Sequence, residues 1–485
     1  MDKVVVSELE NEVYVRINCE PSIAREMADY FSFFVPDYKY HPKYKIGHWD
    51  GKIKLLNLKT RQIYRGLTKH IEEFCHNRDY EVLYDGNFDD NEFSEYEAHE
   101  FYKSLKIPER FERRDYHIGT FTHCIRKKRS LFVSPTASGK SFMIYLIMRY
   151  LNLPTLIMVP NIQLVHQMYN DFKDYGFDSD KFIHKIHGGQ EKYTDKKIVI
   201  STWQSIYEME PDWFSKFRVV IGDEAHRCKA KSLTTILSNL TNCKYRFGFT
   251  GSLDGIETNQ MVLEGLFGPY KKIVSTVELQ EKGFLAKLQI KSIKLKYSEA
   301  ARKALKGSDY RQELAFIIKN EKRNKFIRNL ALSLKGNTLL LYQYVEHHGI
   351  PLFNMIKEKA EIPTYLIHGG IIGEEREVIR KTINEQQDSI TVASMGCFSE
   401  GINIPNIDNI ITASPTKSKI KVMQMIGRGL RKTERKKECT LIDIADDLSW
   451  KSNQNYSLKH YIERIRLYIA EGFQWREYNV EIKDS

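Results

Sequence analysis

Residues 131–141 are the segment that most restricts what this chain can fold into. An apolar run at positions 131–133 leads into a loop of small side chains, and Gly139, Lys140 and Ser141 then open an amphipathic stretch. A short strand that passes through small residues into a helix is typical of a parallel α/β sheet. The backbone N–H groups of such a loop can surround a phosphate, and the positive end of the helix dipole faces it. The segment predicts a phosphate-binding loop, with Ser134 where such loops usually have their first glycine.

The residues of this loop have distinct predicted roles. We expect Lys140 to neutralise the β- and γ-phosphates of a nucleoside triphosphate, and the Ser141 hydroxyl to bind its Mg²⁺ ion. For this segment taken alone, a Gly-Lys turn before an ordinary helix is the alternative. The predicted nucleotide contacts in the loop are Pro135, Thr136, Ala137, Ser138, Gly139, Lys140 and Ser141.

A second, acidic segment favours the same chemistry. Residues 218–222 form a short apolar, β-branched run, and Asp223, Glu224, Ala225 and His226 follow it directly. Parallel α/β sheets bind ligands at the carboxyl ends of their strands. We therefore expect Asp223 to hold Mg²⁺ through water and Glu224 to orient and polarise the attacking water. The alternative is the solvated acidic start of a helix.

Two arginines near the far end of the chain form the third segment. Residues 424–431 place Arg428 and Arg431 three positions apart, on one face of a helix or turn. A guanidinium group binds phosphate oxygens in a planar, two-pronged way while negative charge develops on them. Both arginines are therefore predicted to act in hydrolysis. Because lysines flank the segment on both sides, a basic surface helix for nucleic acid is the alternative, and the two roles are compatible.

The charge of the chain favours a polyanionic partner. Its 74 Lys and Arg residues outnumber its 63 Asp and Glu residues, which gives a formal net charge of +11. Nucleic acid is the obvious candidate, although an excess of positive charge can also serve solubility alone.

The cysteine pattern and the lengths of the apolar runs exclude other classes. The seven cysteines are scattered without Cys-x-x-Cys spacing, which argues against a zinc site or a disulfide framework and for buried thiols in a reducing cytoplasm. No apolar run reaches the ~18 residues of a membrane span, and the first residues lack a secretory signal pattern. We therefore expect a cytoplasmic protein.

Five segments are predicted along the chain. In two of them, strand-like and helical runs alternate, which predicts parallel sheets with right-handed crossovers. Another holds seven acidic residues and no Lys or Arg, so we expect a solvated linker whose neighbours contact nucleic acid independently. The segments are a small α+β module at 1–84, the acidic linker at 85–100, the two lobes at 101–283 and 284–445, and a helical tail at 446–485.

An aromatic and basic stretch lies within the first module. Lysines alternate with tyrosines and a tryptophan over residues 38–54. Aromatic rings stack on bases while lysines contact phosphates, so Lys43, Lys45, Trp49 and Lys52 are predicted nucleic-acid contacts. The alternative is that the rings form the core of the module and the lysines face water.

These segments, in this order, resemble the motifs of the superfamily 2 helicases and translocases. The phosphate loop, the Asp-Glu-Ala-His box and Gln-x-x-Gly-Arg-x-x-Arg look like motifs I, II and VI, and matching segments span most of residues 110–445. The resemblance implies two tandem RecA-like lobes that bind ATP and Mg²⁺ in the cleft between them. It also implies a catalytic role for Gln424 beside the two arginines.

Other motifs of the superfamily imply further site residues. His117 stands where the superfamily usually has an adenine-reading glutamine, which leaves base selectivity open. The implied nucleotide contacts are Tyr116 and Gly401, and the implied nucleic-acid contacts are Pro160, Thr202, Trp203 and Gln204.

Residues 40–54 indicate one family within the superfamily, because they are similar to the leading module of the phage UvsW-type helicases. This resemblance implies ATP-dependent remodelling of branched DNA by fork regression, branch migration and displacement of RNA from DNA–RNA loops. The implied partners are branched or forked DNA, DNA–RNA hybrids and phage recombination proteins, with a monomer as the expected state. The alternatives are an RNA helicase, the motor subunit of an ATP-dependent restriction enzyme, and a non-enzymatic strand-annealing or DNA-binding protein.

The predicted fold class is therefore α/β, with two tandem RecA-like parallel-sheet lobes preceded by a small α+β nucleic-acid-binding domain.

Overall fold

The computed structural model describes most of the chain as two compact units. The first unit comprises residues 1–134 and 139–273, and the second comprises residues 135–138 and 274–485. The structure describes residues 2–482 except 112, 136, 226–229, 252–256, 372, 401–403, 405, 417 and 433–435. Within helices it describes the backbone alone at residues 230, 257–259, 373, 398–400, 419–421, 424 and 428.

The amino-terminal module of the first unit is a mixed sheet with helices against it. The strands are β1 (Lys3–Glu8), β2 (Tyr14–Asn18), β3 (Ser32–Phe34), β4 (Lys52–Lys54), β5 (Gln62–Tyr64) and β6 (Glu81–Asp85), and the helices are α1 (Pro21–Tyr30), α2 (Pro42–Lys45) and α3 (Thr68–His76). Short 3-10 turns span Tyr38–Tyr40 and Arg65–Leu67. The sheet has the order β5-β2-β1-β6, and β3 pairs antiparallel with β4. Val4 and Val6 alternate inward along β1 and are buried.

Lobe 1, the rest of the first unit, is built on a parallel seven-stranded sheet. Its central strands are buried along their whole length, as expected where helices cover both faces. The strands are β7 (Arg129–Val133), β8 (Thr155–Val159), β9 (Ile183–Ile186), β10 (Ile198–Thr202), β11 (Val219–Asp223), β12 (Tyr245–Thr250) and β13 (Tyr270–Lys272), in the order β13-β7-β12-β11-β8-β10-β9. The helices are α4 (Glu95–Ser104), α5 (Asp115–Lys127), α6 (Lys140–Leu151), α7 (Ile162–Asp174), α8 (Ser179–Phe182), α9 (Trp203–Ile206), α10 (Pro211–Phe214), α11 (Ala230–Asn239) and α12 (Glu257–Phe267).

Lobe 2, which makes up the second unit, repeats this plan. Its strands are β14 (Lys287–Tyr297), β15 (Asn337–Tyr342), β16 (Thr364–Ile367), β17 (Ser389–Ser394), β18 (Asn409–Thr412), β19 (Glu438–Asp447) and β20 (Trp475–Ile482), all parallel, in the order β16-β17-β15-β18-β19-β14-β20. The helices are α13 (Thr276–Glu281), α14 (Glu299–Ala304), α15 (Tyr310–Lys319), α16 (Glu321–Ser333), α17 (Ile350–Lys357) after a π-helical turn at Val345–Gly349, α18 (Gly373–Glu385), α19 (Met395–Glu400), α20 (Lys419–Gly429) and α21 (Tyr456–Ala470). Together with the module, the two parallel sheets confirm the predicted fold class.

The module and lobe 1 fold around a shared core. One cluster of buried apolar side chains includes Leu67 of the module and Phe267 of lobe 1. Gly66 lies so close to lobe 1 that a Cβ atom there would come within 2.1 Å of the Glu264 carbonyl oxygen. His70 Nε2 lies 3.0 Å from a carboxylate oxygen of Glu264. The module is therefore part of the same folded body as lobe 1, which differs from the independent behaviour predicted from the linker.

The acidic stretch predicted as a linker contributes a helix to this body. Ser94 and Glu97 form a reciprocal capping box at the start of α4. Phe93 and Ala98 are buried in the core of lobe 1. Acidic side chains are favourable in the first turn of a helix because they face its positive end, so a run that repels itself in coil is stable here.

The structure of residues 446–482 differs in one respect from the predicted helical tail. It contains α21, as predicted, but it then adds β20 to the edge of the lobe 2 sheet beside β14. Arg464 of α21 and Asp443 of β19 form a buried ion pair with 2.9 Å between nitrogen and oxygen. In the described residues, no helix combines the length and apolar character needed to cross a membrane.

Candidate active site

The loop between β7 and α6 has a backbone that favours small residues. Gly139, which precedes α6, has φ of 83°, and Ala137 has φ of 65°. Both values lie in the left-handed region, where a side chain crowds the backbone. The Ser134 N–H donates to the Thr250 carbonyl oxygen at 2.9 Å, which fixes the start of the loop to the end of β12. The predicted contact Thr136 lies outside the described residues.

Lys140, the first residue of α6, is joined to the acidic segment. Its Nζ donates to Glu224 Oε1 at 3.0 Å and to the Ser134 carbonyl oxygen at 3.5 Å. Only 11% of the Lys140 side chain and 16% of the Glu224 side chain are exposed, so water screens this ion pair weakly. The fold thus brings two predicted catalytic residues to one edge of the lobe 1 sheet.

Asp223 and Glu224 have different environments although they are adjacent. Asp223 ends β11 and is buried, whereas Glu224 follows it at φ of 51°. Burial raises the pKa of Asp223 to about 6, with the Lys140 charge lowering it and the Glu224 charge raising it further. The Glu224 N–H donates to Asp223 Oδ1 at 3.0 Å, and the Gly251 N–H donates to Glu224 Oε2 at 3.4 Å. The site therefore holds two carboxylates near one ammonium group.

The residues present fit a bound Mg²⁺ ion. The raised pKa of Asp223 indicates a buried carboxylate that additional positive charge would stabilise, and Mg²⁺ prefers oxygen ligands of this kind. Ser141 offers a hydroxyl oxygen in the first turn of α6. Among the described residues, no group of three or more His, Cys, Asp and Glu side chains could hold a metal alone, so phosphate and water oxygens would complete the shell.

Tyr175, which was not predicted from the sequence, contacts the Ser141 hydroxyl. The two side-chain oxygens are 3.1 Å apart. Tyr175 follows α7, and its ring packs against Phe142 and Tyr145 with centroids 5.2 Å from each. Burial raises the pKa of Tyr175 to about 12, so its hydroxyl stays protonated at neutral pH. Tyr175 lies 34 positions from Ser141 and belongs to no motif, so no sequence pattern indicates this contact.

His117 faces the phosphate loop. Its side chain is buried, and its Nδ1 accepts a hydrogen bond from the Arg114 N–H at 3.3 Å. A Cβ atom at Gly139 would lie 2.6 Å from His117 Nε2, so the ring lies directly against the loop. The ring of Tyr116, a predicted nucleotide contact, packs edge-on against His117 with centroids 4.8 Å apart.

The predicted nucleic-acid contacts of lobe 1 lie close together, but only one of them exposes its side chain. Gln204 is exposed and its Nε2 donates to the Pro160 carbonyl oxygen at 3.1 Å. Thr202 is buried, and its hydroxyl lies 2.8 Å from that of Ser205. Trp203 is only 7% exposed and packs in the shared core, and its nucleic-acid contact stays a prediction. A large apolar ring gains more from burial than from a surface position.

The aromatic and basic stretch of the module combines both predicted alternatives. Tyr38 packs between Phe34 and Tyr44, with centroids 4.5 and 4.8 Å away, as in a small core. Lys43 and Lys45 are exposed on α2. The Trp49 Nε1 donates to the carbonyl oxygen of Lys52 at 2.9 Å, and the Lys52 ammonium lies 5.0 Å from the Phe34 ring centre. The rings thus support the chain while the two exposed lysines remain available to phosphates.

In lobe 2, part of the predicted site lies outside the described residues. This applies to Gly401 and to the side chains of Gln424 and Arg428, although the backbone of the last two is in α20. Arg431 is half-buried and forms an isolated β-bridge with Leu285.

Comparison with known proteins gives matches along the whole chain. Three family models match, and they describe the UvsW N-terminal domain of a DNA helicase at residues 6–85, the res subunit of type III restriction enzymes at residues 94–254, and the helicase conserved C-terminal domain at residues 321–433.

Two proteins and one solved structure illustrate the similarity. The ATP-dependent DNA helicase uvsW of Enterobacteria phage T4 is 35% identical over 487 residues, which cover 95% of this chain and 96% of that protein. The crystal structure of T4 UvsW has a TM-score of 0.53 at 33% identity and covers 99% of each chain. The DNA 3'-5' translocase XPB2 of Sulfurisphaera tokodaii is 24% identical over 70% of this chain and 82% of that protein.

Proposed function

This chain belongs to the UvsW family of ATP-dependent DNA helicases, and on that premise we propose that it uses ATP hydrolysis to remodel branched DNA. The proposed reactions are fork regression, branch migration and displacement of RNA from DNA–RNA loops. The observation that carries the proposal is the cluster of Lys140, Asp223 and Glu224 at the carboxyl ends of β7 and β11. That edge is where parallel α/β sheets bind nucleotides.

The ion pair between Lys140 and Glu224 suggests how phosphate binding prepares the site. The γ-phosphate of ATP competes with the Glu224 carboxylate for the Lys140 ammonium. The γ-phosphate carries more negative charge than the carboxylate, and the phosphate loop beside Lys140 binds it. Once Lys140 turns to the phosphates, Glu224 is free to accept a hydrogen bond from the attacking water. The left-handed backbone at Glu224 holds its carboxylate beside Gly251, so the side chain keeps its direction during the exchange.

Ser141 and Asp223 are the residues that would hold Mg²⁺ with the nucleotide. The ion supplies positive charge that offsets the negative charge on the phosphate oxygens. Asp223 stays ionised when this charge is near, because opposite charge favours the carboxylate form. Tyr175 holds the Ser141 hydroxyl in place.

Arg428, Arg431 and Gln424 are proposed to act on the transferred phosphoryl group. An arginine that binds the equatorial oxygens of this group is typically worth ~10³–10⁵ in turnover. Replacement of Arg431 by alanine should therefore leave ATP binding nearly unchanged and abolish hydrolysis.

DNA contacts are assigned to the exposed lysines of the module and to the Thr202–Gln204 segment. Lys43 and Lys45 have the exposure that phosphate contacts need. Backbone contacts of this kind bind any sequence and weaken steeply with salt.

The proposal is tested with Lys140→Ala and Glu224→Gln. We expect both variants to lose hydrolysis stimulated by branched DNA, and Glu224→Gln to retain ATP binding. The exposed residues Lys357 and Glu358 provide matched controls as Lys357→Ala and Glu358→Gln. Each protein is assayed on a four-way junction, a fork and a DNA–RNA loop of matched sequence. Hydrolysis that survives both active-site changes, or wild-type protein that converts none of the three substrates, contradicts the proposal.

A further inference from the structure

A cavity of about 910 Å³ opens where the module meets lobe 1, and we call it the junction cavity. Its walls come from the module near Arg65 and Phe88, from the start of β7, and from the residues around Lys244 and Tyr270. It lies at the amino end of β7, whereas the phosphate loop follows the carboxyl end. Because β7 spans five residues at ~3.3 Å each, the cavity is separate from the candidate active site.

Basic side chains outnumber acidic ones in the lining of the junction cavity, with seven Lys and Arg residues and five Asp and Glu residues. Arg65 and Arg129 are paired, since both lie within salt-bridge distance of Glu12. Among the described residues, no carboxylate lies within that distance of the ammonium groups of Lys128, Lys244 or Lys271. The Lys128 Nζ donates to the Asp89 carbonyl oxygen, and the Lys271 Nζ lies 3.1 Å from His123 Nδ1. Three ammonium groups therefore line one space without a direct carboxylate contact, while the charges of Asp90 and Glu12 act on Lys128 from a greater distance and that of Glu8 acts on Lys244.

The excess of positive charge contributes to lowered pKa values of two basic groups at the cavity. Burial lowers the pKa of Lys128, and the charges of Lys244 and Arg65 lower it further, while those of Asp90 and Glu12 raise it in part. Burial also lowers the pKa of His123 to about 4, helped by Lys271 and Lys127. Lys128 itself has φ of 62°, a left-handed conformation that is unfavourable for a non-glycine residue. An anion in the cavity would relieve the repulsion among these groups.

Aromatic rings line the cavity beside the lysines. Tyr84 and Tyr270 are each 40% exposed, and the Tyr84 ring packs on Phe88 with centroids 4.7 Å apart. Exposed rings next to lysines can stack on a base whose phosphate meets the ammonium groups. The volume lies in the range of ligand pockets, ~300–1,000 Å³.

We propose that the junction cavity binds one nucleotide unit, with its phosphate against Lys128, Lys244 and Lys271 and its base against Tyr270. The proposal deepens the proposed function and rests on it, since a DNA strand is the main source of such a unit. A free nucleotide has the same chemistry and is the other source. The cavity would hold a strand away from the ATP edge of lobe 1, and so would bind it throughout the hydrolysis cycle.

Photo-crosslinking locates the site directly in the full-length protein. Oligothymidylate that carries 5-iodouracil is irradiated with the wild type, and the modified peptide is identified by mass spectrometry. We expect a crosslink at Tyr270 or Phe88 that unlabelled oligothymidylate prevents. If thymidine monophosphate prevents it equally well at equal nucleotide concentration, the cavity takes free nucleotide. If no crosslink forms at the cavity, the proposal is overturned.

Affinity measurements provide the second test. Lys244→Ala combined with Lys271→Ala should weaken oligothymidylate binding about tenfold and reduce the slope of log K against log salt by up to about 0.7, because one phosphate loses most of its neutralising charge. Lys357→Ala with Lys359→Ala, which removes two exposed lysines of lobe 2, is the matched control and should change neither value. Unchanged binding in the cavity variant, while the wild type still remodels branched DNA, would overturn this proposal and leave the helicase function standing.

Discussion

At the scale of single residues, the buried Asp223 carboxylate lowers the free energy of unfolding at neutral pH. Its pKa is raised from 3.8 to about 6 by burial, so the folded protein binds this proton more tightly than the unfolded chain does. The contribution of Asp223 to the free energy of unfolding therefore falls as the pH rises from about 4 to about 6, and it stays low at higher pH.

Removal of the Asp223 charge should therefore stabilise the folded protein at high pH. Asp223→Asn, which cannot ionise, should raise the free energy of unfolding by about 1–3 kcal/mol at pH 8, and by clearly less at pH 5. The same variant should lose ATP hydrolysis. Thermal unfolding measured across this pH range without nucleotide checks the prediction. An equal gain at both pH values would show that the carboxylate charge is not the cause.

The second residue-scale prediction concerns Tyr175. Loss of its hydroxyl in Tyr175→Phe leaves the Ser141 hydroxyl without this partner, and such supporting contacts are typically worth ~10–100-fold in metal affinity. We expect a Mg²⁺ requirement at least tenfold higher, both in hydrolysis and in the Mg²⁺-dependent binding of a fluorescent ATP analogue. Tyr145→Phe is the control, because that hydroxyl belongs to the same aromatic cluster but bonds to Arg149.

At the scale of elements, α21 is held to the lobe 2 sheet by buried charge. Arg464 pairs with Asp443, and the Tyr468 hydroxyl donates to the same carboxylate at 3.0 Å. Arg464→Ala leaves Asp443 buried without its cation, which should lower the free energy of unfolding of lobe 2 by about 3–5 kcal/mol. Chemical denaturation with hydrogen exchange on α21 measures this loss. Arg466→Ala on the exposed face of the same helix should change stability by less than ~0.5 kcal/mol.

The sequence pattern identified the central strands well. The apolar runs at 131–133 and 218–222 correspond to β7 and β11, because strands covered on both faces are continuously apolar. The edge strands β9, β13 and β20 were not predicted, since polar residues such as those of Tyr270–Lys272 can face water at an edge. The interior strand β14 was not predicted either, because its buried residues alternate with exposed ones. The helix α4 was missed for a related reason: charge composition alone suggested coil, and the capping box at Ser94 outweighs it.

The candidate site was predicted as far as motifs reach. Lys140, Asp223 and Glu224 belong to contiguous segments whose spacing reflects their chemistry, and they lie together in lobe 1. The contact of Tyr175 with Ser141 and the lining of the junction cavity both join segments that are distant in the sequence. Local sequence patterns do not predict such contacts. The nucleic-acid contact of Trp203 was predicted from a motif position, and a motif position does not reveal that the ring is buried.

At the scale of the whole molecule, the shared core decides how the module can be tested. Deletion of residues 1–84 would expose apolar side chains of lobe 1, so substitutions are the better experiment. Lys43→Ala with Lys45→Ala should weaken binding to branched DNA about tenfold and leave the melting temperature unchanged, because both side chains are exposed. Fluorescence anisotropy at several salt concentrations measures the effect. Lys3→Ala with Lys59→Ala, elsewhere on the module, should have no effect on DNA binding.

The close approach of Gly66 to the Glu264 backbone has a mechanical consequence. A Cβ atom at Gly66 would clash with the Glu264 backbone, and apolar side chains of the module and lobe 1 pack in one core. We therefore expect a displacement of lobe 1 during a turnover cycle to move the lysines of α2 with it, because both belong to one compact unit. If the chain moves a DNA junction as proposed, we expect the advance for each ATP to follow the rotation of this unit, because the module and lobe 1 share one core.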